Sequence, residues 1–356
     1  MEIDQNFWKS KKVFLTGHTG FKGSWLSLWL TSLGAEVYGY SLEPNTEPSL
    51  FNLLGLKDRI KHSTIGNILD FQKLKESLLA CNPEIVIHMA AQPLVRESYI
   101  NPIETYQVNV IGTANILEVV RVSNTRVFLN ITTDKCYENK EWHWGYRENE
   151  PLGGYDPYSS SKACSELVTS AYRNSFFMKD GKIKDCGIAT ARAGNVIGGG
   201  DFAKDRLIPD CVRSAINKEI IKIRFPNAIR PWQHVLEPLS GYMLLVERLY
   251  ETPNRYSEAW NFGPEDHEIK SVESIVSLFI KKWGNGLSYE VEQKEHPHEA
   301  NFLKLDISKS RNELGWIPRW SLEMSLDKIV EWTKAFESKK NLYDVSIQQI
   351  NSFQAH

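Results

Sequence analysis

An α/β fold is predicted, a doubly wound parallel sheet with a smaller mixed lobe on its C-terminal side. Three observations predict it. Up to about residue 192, short β-branched or aromatic runs alternate with longer stretches of helical spacing, the pattern of a sheet covered on both faces. Between the first run and the first helix lies a turn with glycines at 17, 20 and 23. Beyond about residue 195 the alternation breaks up around glycines 198–200 and prolines Pro209, Pro226, Pro231 and Pro238.

Taken in order, residues 11–16 read as a strand that stops at Gly17. Residues 21–33 have helical character, and Gly34 is a fitting stop. A second strand occupies 36–40. Residues 68–79 read as a helix with Asp70 as its cap. Residues 84–88 (EIVIH) read as a buried strand, 101–122 as a helix, and 126–132 (RVFLNIT) as another strand. A helix rich in Ser and Ala covers 158–172, and 186–192 is again a strand. Residues 1–194 are thus expected to form a nucleotide-binding domain, with later segments returning to its sheet. Residues 195–338 are expected to form the second lobe, with the site in the cleft between the two. Residues 339–356 are expected to be a loosely held polar tail.

Hydrophobic residues make up 42% of the 356, enough for a sizeable core. A net charge of −2 argues against nucleic acid as a partner. No apolar run approaches the ~20 residues a membrane span needs, and the first twelve residues lack the apolar core of a signal peptide. Cys81, Cys136, Cys164, Cys186 and Cys211 are odd in number and lack paired metal spacing, which points to reduced thiols and a cytoplasmic location.

Residues 16–23 read TGHTGFKG. Glycine permits the tight turn and clears side chains where backbone N–H groups must approach a pyrophosphate. The following helix adds the positive end of its dipole. Such glycines also occur in ordinary strand–helix turns, but the flanking strand and helix favour a Rossmann-type dinucleotide site. No Gly-Lys-Ser/Thr follows, which argues against a P-loop NTPase. Ser41 stands where an acid for the adenosine ribose is common, Glu43 follows, and no arginine is placed for a 2′-phosphate. NAD rather than NADP is therefore expected.

His88-Met-Ala-Ala-Gln92, Asn109-x-x-Gly-Thr113, Thr133 and Tyr158-x-x-x-Lys162 complete a set of motifs. From about residue 10 to 335 the chain resembles the extended short-chain dehydrogenases/reductases that act on nucleotide sugars. Within that family it is most similar to the CDP-glucose branch of the 4,6-dehydratases, through residues 41–51 (SLEPNTEPSLF), 132–137 (TTDKCY), 192–201 (RAGNVIGGGD) and 230–235 (RPWQHV). The resemblance implies bound NAD, CDP-glucose as substrate, and a homodimer built through a four-helix bundle from the helices near 101–122 and 158–175, with a tetramer as the larger form. It places Gly17, Gly20, Phe21, Lys22, Gly23, Ser41, Asn67, Ile68, Ala90, Ala91, Gln92, Asn109, Tyr158 and Lys162 at the cofactor.

A phenol near pKa ~10 is a poor base, but an ammonium four residues along one helix face and the nicotinamide charge can lower it. In the implied mechanism Tyr158 takes the proton of the sugar's C4 hydroxyl, which Thr133 also holds, while the C4 hydride goes to NAD. The 4-ketone acidifies C5, water leaves across C5 and C6, and the hydride returns to C6. Asp134 and Lys135 stand where dTDP-glucose 4,6-dehydratases carry an Asp–Glu pair. Asp134 would protonate the leaving hydroxyl. Lys135 would either remove the C5 proton as a neutral amine or, still charged, stabilise the enolate. Asn195, Arg206, Arg230, His234, His298 and Gln92 are the expected substrate contacts, the arginines for the pyrophosphate. His296 and His298 lack a third ligand, and no metal is expected. Another nucleotide-sugar 4,6-dehydratase or a 4-epimerase shares the Tyr/Lys pair, although an epimerase needs no acid/base pair beside Thr133. A non-catalytic NAD(H)-binding protein of the same fold commonly lacks the tyrosine or the lysine.

Overall fold

The computed structural model describes residues 3–284, 286–292 and 302–356. Its central sheet has seven parallel strands: β1 (Lys12–Thr16), β2 (Glu36–Ser41), β3 (His62–Ile65), β4 (Ile85–His88), β5 (Val127–Ile131), β6 (Gly187–Ala193) and β7 (Ala259–Phe262). Their spatial order is β7-β6-β5-β4-β1-β2-β3. Alternate side chains enter two cores, as the period of two requires. Val13, Leu15, Ile85, Ile87, Val127 and Leu129 face one core, and Phe14, Val86, Phe128 and Ile188 face the other.

The longer helices run, in chain order, α1 (Phe21–Ser32), α2 (Phe71–Cys81), α3 (Gly112–Arg121), α4 (Pro157–Tyr172), α5 (Leu207–Asn217), α6 (Leu236–Glu251), α7 (Val272–Trp283), α8 (Leu322–Glu337) and α9 (Leu342–Gln354). Helices α1 and α6 cover the first core. Helices α2 and α3 cover the second, with α4 packed beside α3. The side chain of Asp70 caps α2 by accepting a hydrogen bond from Lys73 N at 3.1 Å. A third core joins α5, α7 and α8 through Ile208, Cys211, Ile275, Phe279, Leu326 and Ile329.

Three features depart from the sequence reading. Strand β3 was not anticipated, because HSTI is a polar edge strand with no buried residue. The helix expected over 101–122 is interrupted: Pro102–Tyr106 leads through a π-helical turn, Gln107–Ile111, into α3. The expected loose polar tail is a correction. Residues 342–354 form α9, and Leu342, Ile350 and Phe353 are buried in the first core. Phe353 meets Trp29 and Trp320 edge-on. A polar composition hid a narrow apolar stripe at helical spacing.

Register places the site. Thr16 pairs with both Tyr40 and His88, His88 with Asn130, and Asn130 with Thr190. The C-terminal ends of these strands are therefore level, and their loops open on one side. Strand order reverses between β1 and β4, which leaves a crevice at that edge.

Candidate active site

The loops after β1, β2, β4, β5 and β6 line a cavity of about 1050 Å³ that continues to Arg206, Arg224 and Arg230. Its floor is the glycine turn. Gly17 adopts φ +77°, and a Cβ there would lie 2.8 Å from Ala90 N. A Cβ on Gly23 would lie 2.1 Å from Gly17 O, so only glycine lets α1 start this close to β1. Gly20 caps α1 without a side-chain hydrogen bond, which leaves first-turn N–H groups for an anion. The cradle therefore fits a dinucleotide pyrophosphate. At its far end the Thr19 hydroxyl lies 2.8 Å from that of Ser41 and donates to Leu42 O at 2.9 Å. Tyr40 OH donates to Asn67 O at 2.9 Å. The lining there, residues 40–46 without Pro44 and residues 66–69, carries no Arg or Lys, so nothing in it suits a 2′-phosphate.

Tyr158 and Lys162 reach the cavity from α4, whose start is firmly built. Pro157 occupies the first turn, and Asp156 accepts hydrogen bonds from Ser159 N at 2.9 Å and Ser159 Oγ at 2.6 Å. Lys162 Nζ donates to Ile131 O, the last carbonyl of β5, at 2.8 Å. The chain then turns through Thr133 into a single 3₁₀ turn, Asp134–Cys136. Thr133 Oγ1 donates to Asp134 Oδ1 at 3.0 Å, and Lys135 Nζ lies 3.7 Å from the same oxygen. Asp134 is fully buried, yet its Oδ2 has no hydrogen-bond partner among the described residues. An unpaired buried acceptor costs free energy; a substrate hydroxyl in the cavity it lines would satisfy it.

Burial raises the Tyr158 phenol to about 12; Asp134 and Asp156 add to the rise, while the Thr133 hydrogen bond and Arg206 oppose it. Burial lowers Lys162 to about 8 against the pull of Glu166. Lys22, expected at the cofactor, sits in the same electrostatic cluster. Burial first, then Lys162 and Arg206, lower it to about 7, and its ammonium lies 5.8 Å from the Tyr242 ring centroid.

The other arm of the cavity is lined by Asn195, Arg206 and Arg230. Arg206 Nη1 donates to Asp201 Oδ2 at 3.0 Å, and Arg230 is buried with Nη1 donating to Ile229 O at 2.9 Å. Arg96 and Arg224 line this arm too, both bonded to Asp205 at 3.2 and 3.3 Å. No motif marked them, because each is a lone arginine whose partner is distant in sequence. The other lining residues proposed from sequence, including Phe21, Ser41, Asn67, Ile68, Ala90 and Ala91, also face the cavity.

Three predicted contacts lie elsewhere. Gln92 Nε2 donates to Leu94 O and Thr105 Oγ1 at 3.1 and 2.9 Å, and its Oε1 accepts from Leu94 N at 2.6 Å, so its polar atoms are spent behind the wall. Asn109 accepts from Gln92 N at 2.9 Å and donates to Gln92 O and Ser161 Oγ at 3.1 and 2.8 Å. It braces the loop after β4 against α4 and does not line the cavity. His234 is fully buried between Trp25 and Trp320, accepts from Leu236 N at 3.3 Å, and is held neutral by burial, which lowers it to about 3. His298 lies outside the described residues.

A profile of the GDP-mannose 4,6 dehydratase family matches residues 14–329, and the chain belongs to that family. It is 56% identical over 353 residues, 99% of this chain and 98% of the other, to a CDP-glucose 4,6-dehydratase of Salmonella typhimurium. Identity to a dTDP-glucose 4,6-dehydratase of Xanthomonas campestris is 26% over 340 residues, 89% of this chain and 92% of that one. Among solved structures, a dTDP-glucose 4,6-dehydratase of Bacillus anthracis in complex with NAD has the same fold, with a TM-score of 0.75 over 94% of this chain and 100% of that one at 20% identity. Another from Streptomyces venezuelae, with NAD bound, reaches 0.78 over 93% and 99% at 21% identity.

Proposed function

We propose that this chain converts CDP-glucose to CDP-4-keto-6-deoxyglucose and water, as an NAD-dependent hydro-lyase. One observation carries the reading: Thr133, Asp134, Lys135, Tyr158 and Lys162 line one cavity together with a dinucleotide cradle, in a chain 56% identical to a CDP-glucose 4,6-dehydratase. Bound NAD supplies the acceptor for the C4 hydride and its donor at C6. The cradle of Gly17, Gly20 and Gly23 holds the cofactor's pyrophosphate, and Ser41, Asn67 and Ile68 border its adenosine end.

Tyr158 accepts the C4 hydroxyl proton. With its phenol raised to about 12 in the free chain, it depends on the Lys162 ammonium and the cofactor's charge to act near neutrality. Thr133 holds the same hydroxyl. Once C4 is a ketone, Asp134 serves the C6 hydroxyl with the oxygen that has no hydrogen-bond partner among the described residues. Lys135 acts at C5, as base or as counter-charge to the enolate. Asn195, Arg206 and Arg230 hold the diphosphate arm. A 4-epimerase has no use for an acid and an amine beside Thr133, and this pair favours dehydration.

Incubation with CDP-, dTDP- and GDP-glucose tests the reading, with the product weighed by mass spectrometry. A 4-keto product lighter by one water, formed fastest from CDP-glucose, is expected. An isomer of unchanged mass would indicate an epimerase, and a preference for another base would reassign the substrate. The five free cysteines suit a reducing cytoplasm. Exposed Ile103, Ile111 and Leu167 on the helices of 102–121 and 157–172 support a homodimer paired through those helices.

A further inference from the structure

Arg192 lies in β6 and Glu166 on α4, one turn beyond Lys162, and both are buried. Their planar groups meet as a fork: Arg192 Nε donates to Glu166 Oε1 and Nη2 to Oε2, each at 2.9 Å. Although burial alone would raise Glu166, the Arg192 guanidinium holds its carboxyl below the usual range. The pair is therefore ionised and fully engaged.

Each partner also reaches one end of the same short segment. Glu166 accepts the Thr132 hydroxyl at Oε1 and the Thr190 hydroxyl at Oε2, the latter at 2.7 Å. Arg192 Nη1 donates to Tyr137 OH at 2.8 Å and to Glu148 O at 3.0 Å, and its guanidinium carbon lies 4.9 Å from the Tyr137 ring centroid. Tyr137 OH donates onward to Asn261 Oδ1 at 2.7 Å. Between Thr132 and Tyr137 stand only Thr133, Asp134, Lys135 and Cys136. The bonds that the segment's own backbone N–H groups make within it are long, with Lys135 N to Thr133 Oγ1 and Cys136 N to Thr133 O both at 3.4 Å, and the one shorter internal bond joins two side chains, Thr133 Oγ1 and Asp134 Oδ1, at 3.0 Å. Its shape is set from outside.

We propose that Glu166 and Arg192 form a clamp that fixes Asp134 and Lys135 against α4, which makes them positioning residues for the elimination half of the reaction. This rests on the dehydratase reading above. A buried ion pair adds little stability over an apolar pair of equal volume, whereas a displacement of about 1 Å at reacting groups can cost about a hundredfold in rate. Tyr158, which carries the proton transfer of the oxidation, is less dependent on the clamp, because it is placed by the capped first turn of α4; Thr133, which steadies the same hydroxyl, lies inside the clamped segment and accounts for the smaller effect on oxidation.

The test compares Tyr137→Phe and Thr132→Val, each of which frees one end and leaves the ion pair intact, with Arg192→Lys, which breaks the fork. In single turnovers with CDP-glucose and NAD, absorbance reports cofactor reduction, and deuterium uptake at C5 with product mass reports elimination. In the first two variants elimination is expected to fall about tenfold, cofactor reduction is expected to change less than about twofold, and reduced cofactor accumulates. Arg192→Lys should act in the same direction and more strongly. If reduction and elimination fall together, or if neither changes, the clamp is refuted. The two single-end variants decide this even if Arg192→Lys does not fold. The unaltered protein, run in parallel, reports on the dehydratase reading by itself: absence of the 4-keto product there would overturn that reading. The ratio of the two rates in the variants judges the clamp.

Discussion

Tyr158 and Lys162 stand on a regular helix, whereas Asp134 and Lys135 stand on one 3₁₀ turn at the end of a strand. Both pairs face one cavity. The helix pair is aligned by its own periodicity, because residues four apart share a face, and its start is fastened by Asp156. The turn pair has no such ladder and relies on a buried ion pair contributed by β6 and α4. Positioning for oxidation is thus local, and positioning for elimination is long-range. The two halves of the reaction should be separable by mutation.

The largest effect is expected from the helix side. Tyr158→Phe removes the proton acceptor on which both halves depend, and turnover should fall by about 10³-fold or more. Single-turnover absorbance should show no cofactor reduction. Normal reduction in this variant would remove Tyr158 from its role.

On the turn side, Asp134→Asn keeps the shape and removes the acid. Product formation should drop about a hundredfold, while reduced cofactor forms and persists. Lys135→Met should slow deuterium exchange at C5 and product formation by about tenfold or more, with C4 oxidation largely retained. An equal collapse of oxidation in either variant would show that the two pairs act as one unit.

The smallest effect concerns stability and sharpens the contrast. Lys162 falls from an ordinary value near 10.5 to about 8 on folding. Between those values the unfolded chain binds more protons, so its contribution to stability rises with pH across that window. Below about pH 8 the full cost of burying the ammonium is present. Lys162→Met should therefore gain most, relative to the unaltered chain, near pH 7, and that advantage should shrink as pH approaches 10. Melting temperatures of both proteins across pH 7–10 measure it, and a constant difference would show that Lys162 keeps its proton on folding and that burial does not lower its pKa.

Much of the frame could be read from local signals. Strands β1, β2, β4, β5 and β6 carried β-branched or aromatic residues, and the cradle was marked by three glycines set between a strand and a helix. Catalytic candidates were legible because Tyr158 and Lys162 share a helix and Asp134 and Lys135 are adjacent. Other features left little trace. β3 is polar because it lies at an exposed edge, and β7 joins β6 from 66 residues further along the chain. Gln92, Asn109 and His234 are polar types that suit a ligand as well as a brace, and only their neighbours tell which they are.

By itself the sequence determined what depends on residues close along the chain: periodic strands and helices, the glycine cradle, and the Tyr/Lys and Asp/Lys pairs. Tertiary structure alone decided what depends on residues far apart: which polar groups are spent inside the wall, where α9 packs, and how Arg192 meets Glu166 across the sheet. The physical reason is range. Backbone sterics and helix or strand periodicity act over a few residues and write themselves into local pattern. Burial and hydrogen-bond pairing act through space and become definite only when distant segments close on one another.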